Sequence, residues 1–146
     1  MKKTAVLAAA AVAAALLAAP ATPAGAEPLP WDKTVKCKQE DWAGRTIPTR
    51  VGNRVLGWKH FSRKHNIKKC QVVNGPLNGL PDKVDGARLV YEGVARNGTK
   101  KVTLITIVQY ARRTKDRDYD AGKGKKIGVI TAYCRGRDRC PDWVND

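Results

Sequence analysis

Arg88-Leu89-Val90-Tyr91-Glu92-Gly93-Val94-Ala95, then Arg96-Asn97-Gly98-Thr99, then Lys101-Val102-Thr103-Leu104-Ile105-Thr106-Ile107-Val108-Gln109-Tyr110: on this stretch the fold turns. Two runs rich in β-branched and aromatic residues flank Asn-Gly, the strongest short-range signal for a hairpin. The second run is apolar at most positions from Val102 to Val108, as a strand covered on both faces must be, and is read as a central strand. Asn97-Gly98-Thr99 also matches a glycosylation sequon, but the tight turn explains it sufficiently. Toward the C-terminus, Ala111 to Lys126 is a charged polar loop, and Ile127-Gly128-Val129-Ile130-Thr131-Ala132-Tyr133 is a third strand. On the other side, Lys83-Val84 begins an entry into the sheet. An antiparallel meander of three or four strands is the economical topology.

Upstream, Thr46 to Val51 reads as a short extended segment ended by Gly52-Asn53. A helix is expected from about Val55 to His65, with Asn66 as its stop and Gly57 weakening its first turn. Its Trp58, Phe61 and His65 fall on an inward face, and Trp42, in a possible turn of helix from Gln39 to Ala43, is a core or anchoring residue. The expected class is therefore α+β: an N-terminal helix or helices packed on a three- to four-stranded meander, disulfide-stabilised. Residues 27–45 are expected as an extended leader and 46–146 as one α+β domain. Asn74-Gly75-Pro76 and Asn78-Gly79-Leu80-Pro81 punctuate loops, and Trp143 is expected to pack back from the tail.

Residues 1–26 carry Lys2-Lys3, an Ala/Leu-rich run and a small-residue end at Ala24-Gly25-Ala26, the pattern of a secretory signal peptide cleaved near Ala26. No segment approaches the ~20 apolar residues of a membrane span, so a secreted monomer without membrane insertion is expected. Cleavage would trim 146 residues to 120 and, with Lys2 and Lys3 gone, the formal charge from +15 to +13. Such density favours a polyanionic partner. Cys37, Cys70, Cys134 and Cys140 suit two disulfides in an exported domain. Three connectivities are possible, and Cys37–Cys70 with Cys134–Cys140 is favoured, because the short Arg-Gly-Arg-Asp-Arg loop closes easily. The scattered cysteines fit no zinc spacing, and no metal or other cofactor is expected.

The chemistry-bearing stretch is Gly57-Trp58-Lys59-His60-Phe61-Ser62-Arg63-Lys64-His65-Asn66, which holds both histidines of the chain. In a helix His60 and Lys64 share a face, with Arg63 beside them. Packed on the meander, that helix sets His60 toward the last strand, where Thr131 and Tyr133 project together. A base, cations, a hydroxyl and a phenol suit metal-independent RNA cleavage through attack of a 2′-hydroxyl on its own phosphate. His60 is cast as general base, and Lys64 with Arg63 as phosphate contacts. His65 is the acid or an orienting residue, and Thr131 and Tyr133 are hydrogen-bond donors. Lys59, Arg112 and Arg113 are further candidates for binding substrate. The bland reading is a basic amphipathic helix whose histidines have no chemical role.

In order, Gly-Trp-x-His-x-x-x-Lys-His at 57–65, Leu-Pro-Asp at 80–82, Tyr91, the apolar strand at 102–108 and Gly-Val-Ile-Thr-Ala-Tyr at 128–133 form a pattern. It resembles the barnase–EndoU–colicin–RelE superfamily of metal-independent ribonucleases and toxin nuclease domains. The resemblance spans roughly residues 46 to 133. It implies a helix-plus-antiparallel-sheet fold, RNA cleavage to a 2′,3′-cyclic phosphate, an inhibitor or immunity protein as a possible partner, and catalysis at His60, Lys64 or His65, and Thr131. The chain departs from the usual toxin context in having its own signal peptide and disulfides. The alternatives are a non-catalytic binder of nucleic acid or anionic envelope polymer, and an antimicrobial or inhibitor protein.

Overall fold

A computed structural model describes residues 25–146. The expected signal peptide lies outside the described residues except for Gly25 and Ala26, which have no regular structure. Six strands dominate: β1 (Asp32–Glu40), β2 (Thr46–Gly52), β3 (Lys83–Asp85), β4 (Arg88–Asn97), β5 (Lys100–Gln109) and β6 (Gly128–Cys134). Between β2 and β3 lie α1 (Trp58–Lys64) and α2 (Cys70–Asn74), and a 3-10 turn, Asp142–Asn145, closes the chain. The strands form two antiparallel sheets, β1-β2 and β3-β4-β5-β6. This corrects the expected class. The protein is mostly β, and α1, seven residues long, is the longest described helix, so no layer of N-terminal helices packs on a meander.

Part of the correction lies in residues expected as leader. Residues 32–40 form β1 and pair with β2 from Asp32↔Gly52 to Glu40↔Thr46. The only buried residue of β1 is Cys37, disulfide-bonded to Cys70 at the start of α2. The strand is thus held by its partner and its bridge, with little apolar patterning of its own. No helical turn forms at 39–43. Asp41 instead accepts N–H bonds from Ala43 and Arg45, both at 2.9 Å, and turns the chain from β1 into β2. Trp42, expected in the core, sits on that turn 73% exposed. Asp41 itself is buried, where it accepts the Tyr91 hydroxyl at 2.7 Å and pairs with Arg45 at 3.3 Å.

The hairpin lies where the sequence marks it, with its turn one residue later than Asn-Gly implies. Asn97 pairs with Lys100, so Gly98 and Thr99 are the central residues. Gly98 takes φ 58 and Thr99 does not have positive φ, the pattern of a type II′ turn with glycine first. β5 is buried from Leu104 to Val108 between β4 and β6. Leu104 and Val108 join Phe61, Val73, Leu77, Tyr91 and Val129 in the main core, and the Thr106 hydroxyl bonds the Val73 carbonyl at 3.1 Å.

β2 lies against β6. Gly128, at φ 85, comes so close to Pro48 that a Cβ there would fall 1.9 Å from the Pro48 carbonyl oxygen, so only glycine fits. Buried Arg50 bridges the parts, donating to the carbonyls of Lys126 (2.8 and 3.0 Å) and Lys33 (2.7 Å). Cys134–Cys140 is the second disulfide. Both bridges are the favoured pairings, and they fit an oxidising, extracellular type of environment. Among the described residues no helix is long and apolar enough to cross a membrane.

Candidate functional site

The loop between β2 and α1 fixes where the histidine helix begins. Asn53 accepts N–H bonds from Val55 and Leu56 at 2.8 and 3.2 Å and folds the chain back. Gly57, at φ 78, lies so near β2 that a Cβ would meet the Arg50 carbonyl at 2.7 Å. That conformation is non-helical, so α1 starts at Trp58 and not near Val55. The Gly57 N–H bonds the Ile130 carbonyl of β6 at 3.0 Å. Ile130 is the extra residue of a bulge, since Ile107 pairs with Thr131 but Val108 with Val129. Bulges re-aim neighbouring side chains, and this one immediately precedes Thr131.

Phe61 points into the core, fully buried, while Trp58 is half-buried beneath the Lys36 ammonium at 4.8 Å from its ring. His65 does not go inward with them. It stands half-buried with His60 at the rim of a concavity of about 540 Å³, lined by His60, His65, Thr131, Tyr133, Gly136, Arg137 and Asp138. The two imidazole rings are edge-to-face with centroids 5.4 Å apart, and the Tyr133 ring lies 5.8 Å from that of His65.

Each imidazole is held in the same way. His60 Nδ1 lies 2.9 Å from the Arg54 carbonyl, and His65 Nδ1 lies 2.9 Å from the Asp138 carbonyl. A carbonyl oxygen only accepts, so both Nδ1 atoms carry the proton, and each neutral ring keeps its free lone pair on Nε2. His60 is biased toward that neutral form. Burial pushes its pKa below the usual 6.5, and His65 and Lys64 push the same way, against the Arg54 carbonyl. Thr131 lines the concavity, but its hydroxyl oxygen is buried and has no hydrogen-bond partner within the protein.

The second wall was not foreseen. The Cys134–Cys140 loop presents Gly136, Arg137 and Asp138 to the concavity. Around it, the Cys140 N–H bonds the His65 carbonyl at 2.9 Å, Arg139 bonds the Arg63 carbonyl at 2.9 Å, and Asn66 reaches the Cys140 carbonyl at 3.0 Å. Asn66, at φ 59 and buried, ends the helix and makes this junction. The available signal was Arg-Gly-Arg-Asp-Arg directly after the Thr-x-Tyr strand.

Other candidates fall elsewhere. Lys59, Arg63 and Lys64 are exposed on α1 and do not line the concavity; Lys64 bears on it through its charge on His60. Arg112 and Arg113 are engaged by Asp120, at 2.8 and 2.7 Å, beside a different hollow that includes Trp31. Their hydrogen bonds, Arg112 foremost, hold the Asp120 carboxyl far below the ordinary range. Among the described residues no group of three or more His, Cys, Asp or Glu is arranged to hold a metal ion.

Scanned against protein-family models, the chain matches none, and a search among curated proteins finds no similar sequence.

Proposed function

We propose that the concavity is the active site of a secreted, metal-independent endoribonuclease of the kind its sequence pattern resembles. The observation that carries this reading is the pair of imidazoles, each fixed through Nδ1 by a backbone carbonyl, with both Nε2 positions left for proton transfer. His60, biased to the neutral form, takes the proton of an RNA 2′-hydroxyl. The 2′-oxygen bonds to phosphorus, the bond from phosphorus to the 5′-oxygen breaks, and His65, protonated on Nε2, gives that oxygen its proton. The products are a 2′,3′-cyclic phosphate and a free 5′-hydroxyl. Tyr133 and Arg137 line the concavity and supply a phenol and a guanidinium for the charge that develops on the phosphorane. The Thr131 hydroxyl, buried in its wall, joins them once a rotation about χ1 turns it outward. Lys64 and Arg63 hold the surrounding potential positive.

The test is digestion of total RNA in EDTA by the protein lacking residues 1–26. Cleavage is expected to survive EDTA and to fall by about 10²–10⁴-fold in His60→Ala and in His65→Ala, the usual worth of a general acid or base. Binding without cleavage would favour the basic-binder reading, and membrane leakage with neither would favour the antimicrobial one.

A further inference from the structure

The concavity does not end at Tyr133. Tyr133 stands opposite Ile105, and Ile105 stands opposite Glu92. Two residues on from Tyr133, just past the end of β6, the Arg135 N–H bonds the Thr103 carbonyl at 2.9 Å, and Thr103 pairs with Val94. Beyond it, Lys101 pairs with Arg96. Directly opposed residues share a face of a sheet, so this series continues the face that carries Thr131 and Tyr133. A second hollow of about 310 Å³ opens there, lined by Val94, Arg96, Lys101, Thr103, Arg135 and Arg137. Arg137 lines both hollows and joins them. Val94, 56% exposed, shares the lining of this hollow with the cations. Glu92 supplies an opposing carboxylate, and it accepts a hydrogen bond from the Arg135 guanidinium.

We propose that this strip is a binding track for the single-stranded RNA flanking the scissile bond, and that Glu92 occupies Arg135 until a phosphate displaces it. The proposal rests on the ribonuclease reading for its ligand. Arg96, Lys101, Arg135 and Arg137 line one hollow, which suits one backbone, and Val94 in the same lining offers an apolar platform for a base. In-line attack by a 2′-hydroxyl also needs a backbone free to rotate, which a duplex restricts. Lys101 lies four residues from Ile105, about 13 Å at ~3.3 Å per residue, so the track adds about two nucleotides to the site.

The probe is a fluorescent 2′-O-methyl dodecanucleotide, which lacks the attacking hydroxyl and reports binding alone. Arg96→Gln with Lys101→Gln is expected to weaken its binding about tenfold and to reduce the salt slope by about 1.4, or ~0.7 for each lost phosphate contact. Lys115→Gln with Lys123→Gln removes the same charge from the exposed loop at 111–126 and is expected to change affinity less than about twofold. Glu92→Gln is expected to raise affinity about two- to fivefold. Equal losses in the two double variants, or weaker binding in Glu92→Gln, would overturn the track. Cleavage of the unmodified dodecanucleotide by wild type separates the two ideas. Track-dependent binding without cleavage defeats the ribonuclease reading alone, and cleavage with track-independent binding defeats the track alone.

Discussion

Each imidazole in the concavity is defined by a backbone carbonyl on its Nδ1 side, and the two differ in what surrounds them. His60 is partly withdrawn from water, and His65 and Lys64 add to the effect of that burial, so its pKa lies below 6.5. The consequence for stability has a definite sign. Below 6.5 the unfolded chain takes up the proton before the native state does, so native stability is full above that value and declines as pH falls through the depressed one. Stability measured by denaturant melts is therefore expected to fall between pH 7 and pH 5, and His60→Gln to remove part of that slope. A slope identical in wild type and variant would contradict the environment described for this ring. The histidines, Thr131 and Tyr133 were legible as residues because their types and order suggest chemistry. The Arg54 and Asp138 carbonyls that orient the rings were not, since any residue supplies a carbonyl and only the folded path decides which one arrives.

Among the elements, the Cys134–Cys140 loop connects structure to chemistry most closely. It carries the Asp138 carbonyl to His65 and is itself tied to the end of α1 through Cys140, Arg139 and Asn66. Opening this bridge, which spans six residues, is expected to cost about 2 kcal/mol by loop entropy. Because misplacing a catalytic group by about 1 Å costs up to ~10²-fold, Cys134→Ser with Cys140→Ser is expected to lower kcat 10- to 100-fold while the melt stays cooperative. Activity that tracks only the loss of folded protein would contradict a positioning role. The other bridge, spanning 33 residues, is expected to be worth about 4 kcal/mol and to act on stability. The hairpin of β4 and β5 was readable because its signal is local: Asn97-Gly98 between two β-rich runs. β1 was not, because Asp32 to Glu40 buries only Cys37 and owes its strand to pairing with β2. That one non-local pairing, together with a helix cut short at Gly57, turned an expected α+β domain into a mostly β one.

At the scale of the whole molecule, two sheets meet at the contact of Gly128 with Pro48, and α1 docks beside that contact through Gly57 and Ile130. The segment before the meander and the strand that ends it are thereby brought together, so the histidines face that strand and the disulfide loop after it. Charge, by contrast, was legible in amount but not in placement. Arg112 and Arg113 are held by Asp120, whereas Arg137, from a loop read only as a closure, lines the site. The formal charge of +15 predicts attraction to any polyanion, so affinity for RNA cannot by itself distinguish an enzyme from a binder. The most direct measurement is cleavage, in EDTA, of one oligoribonucleotide and of its twin lacking the 2′-hydroxyl at the cleaved position, with the new ends identified by phosphorus NMR. The all-ribose strand should be cut at that position to a 2′,3′-cyclic phosphate, and its twin should stay intact there. Equal cutting of both strands, or none of either, would contradict a site built to activate that hydroxyl.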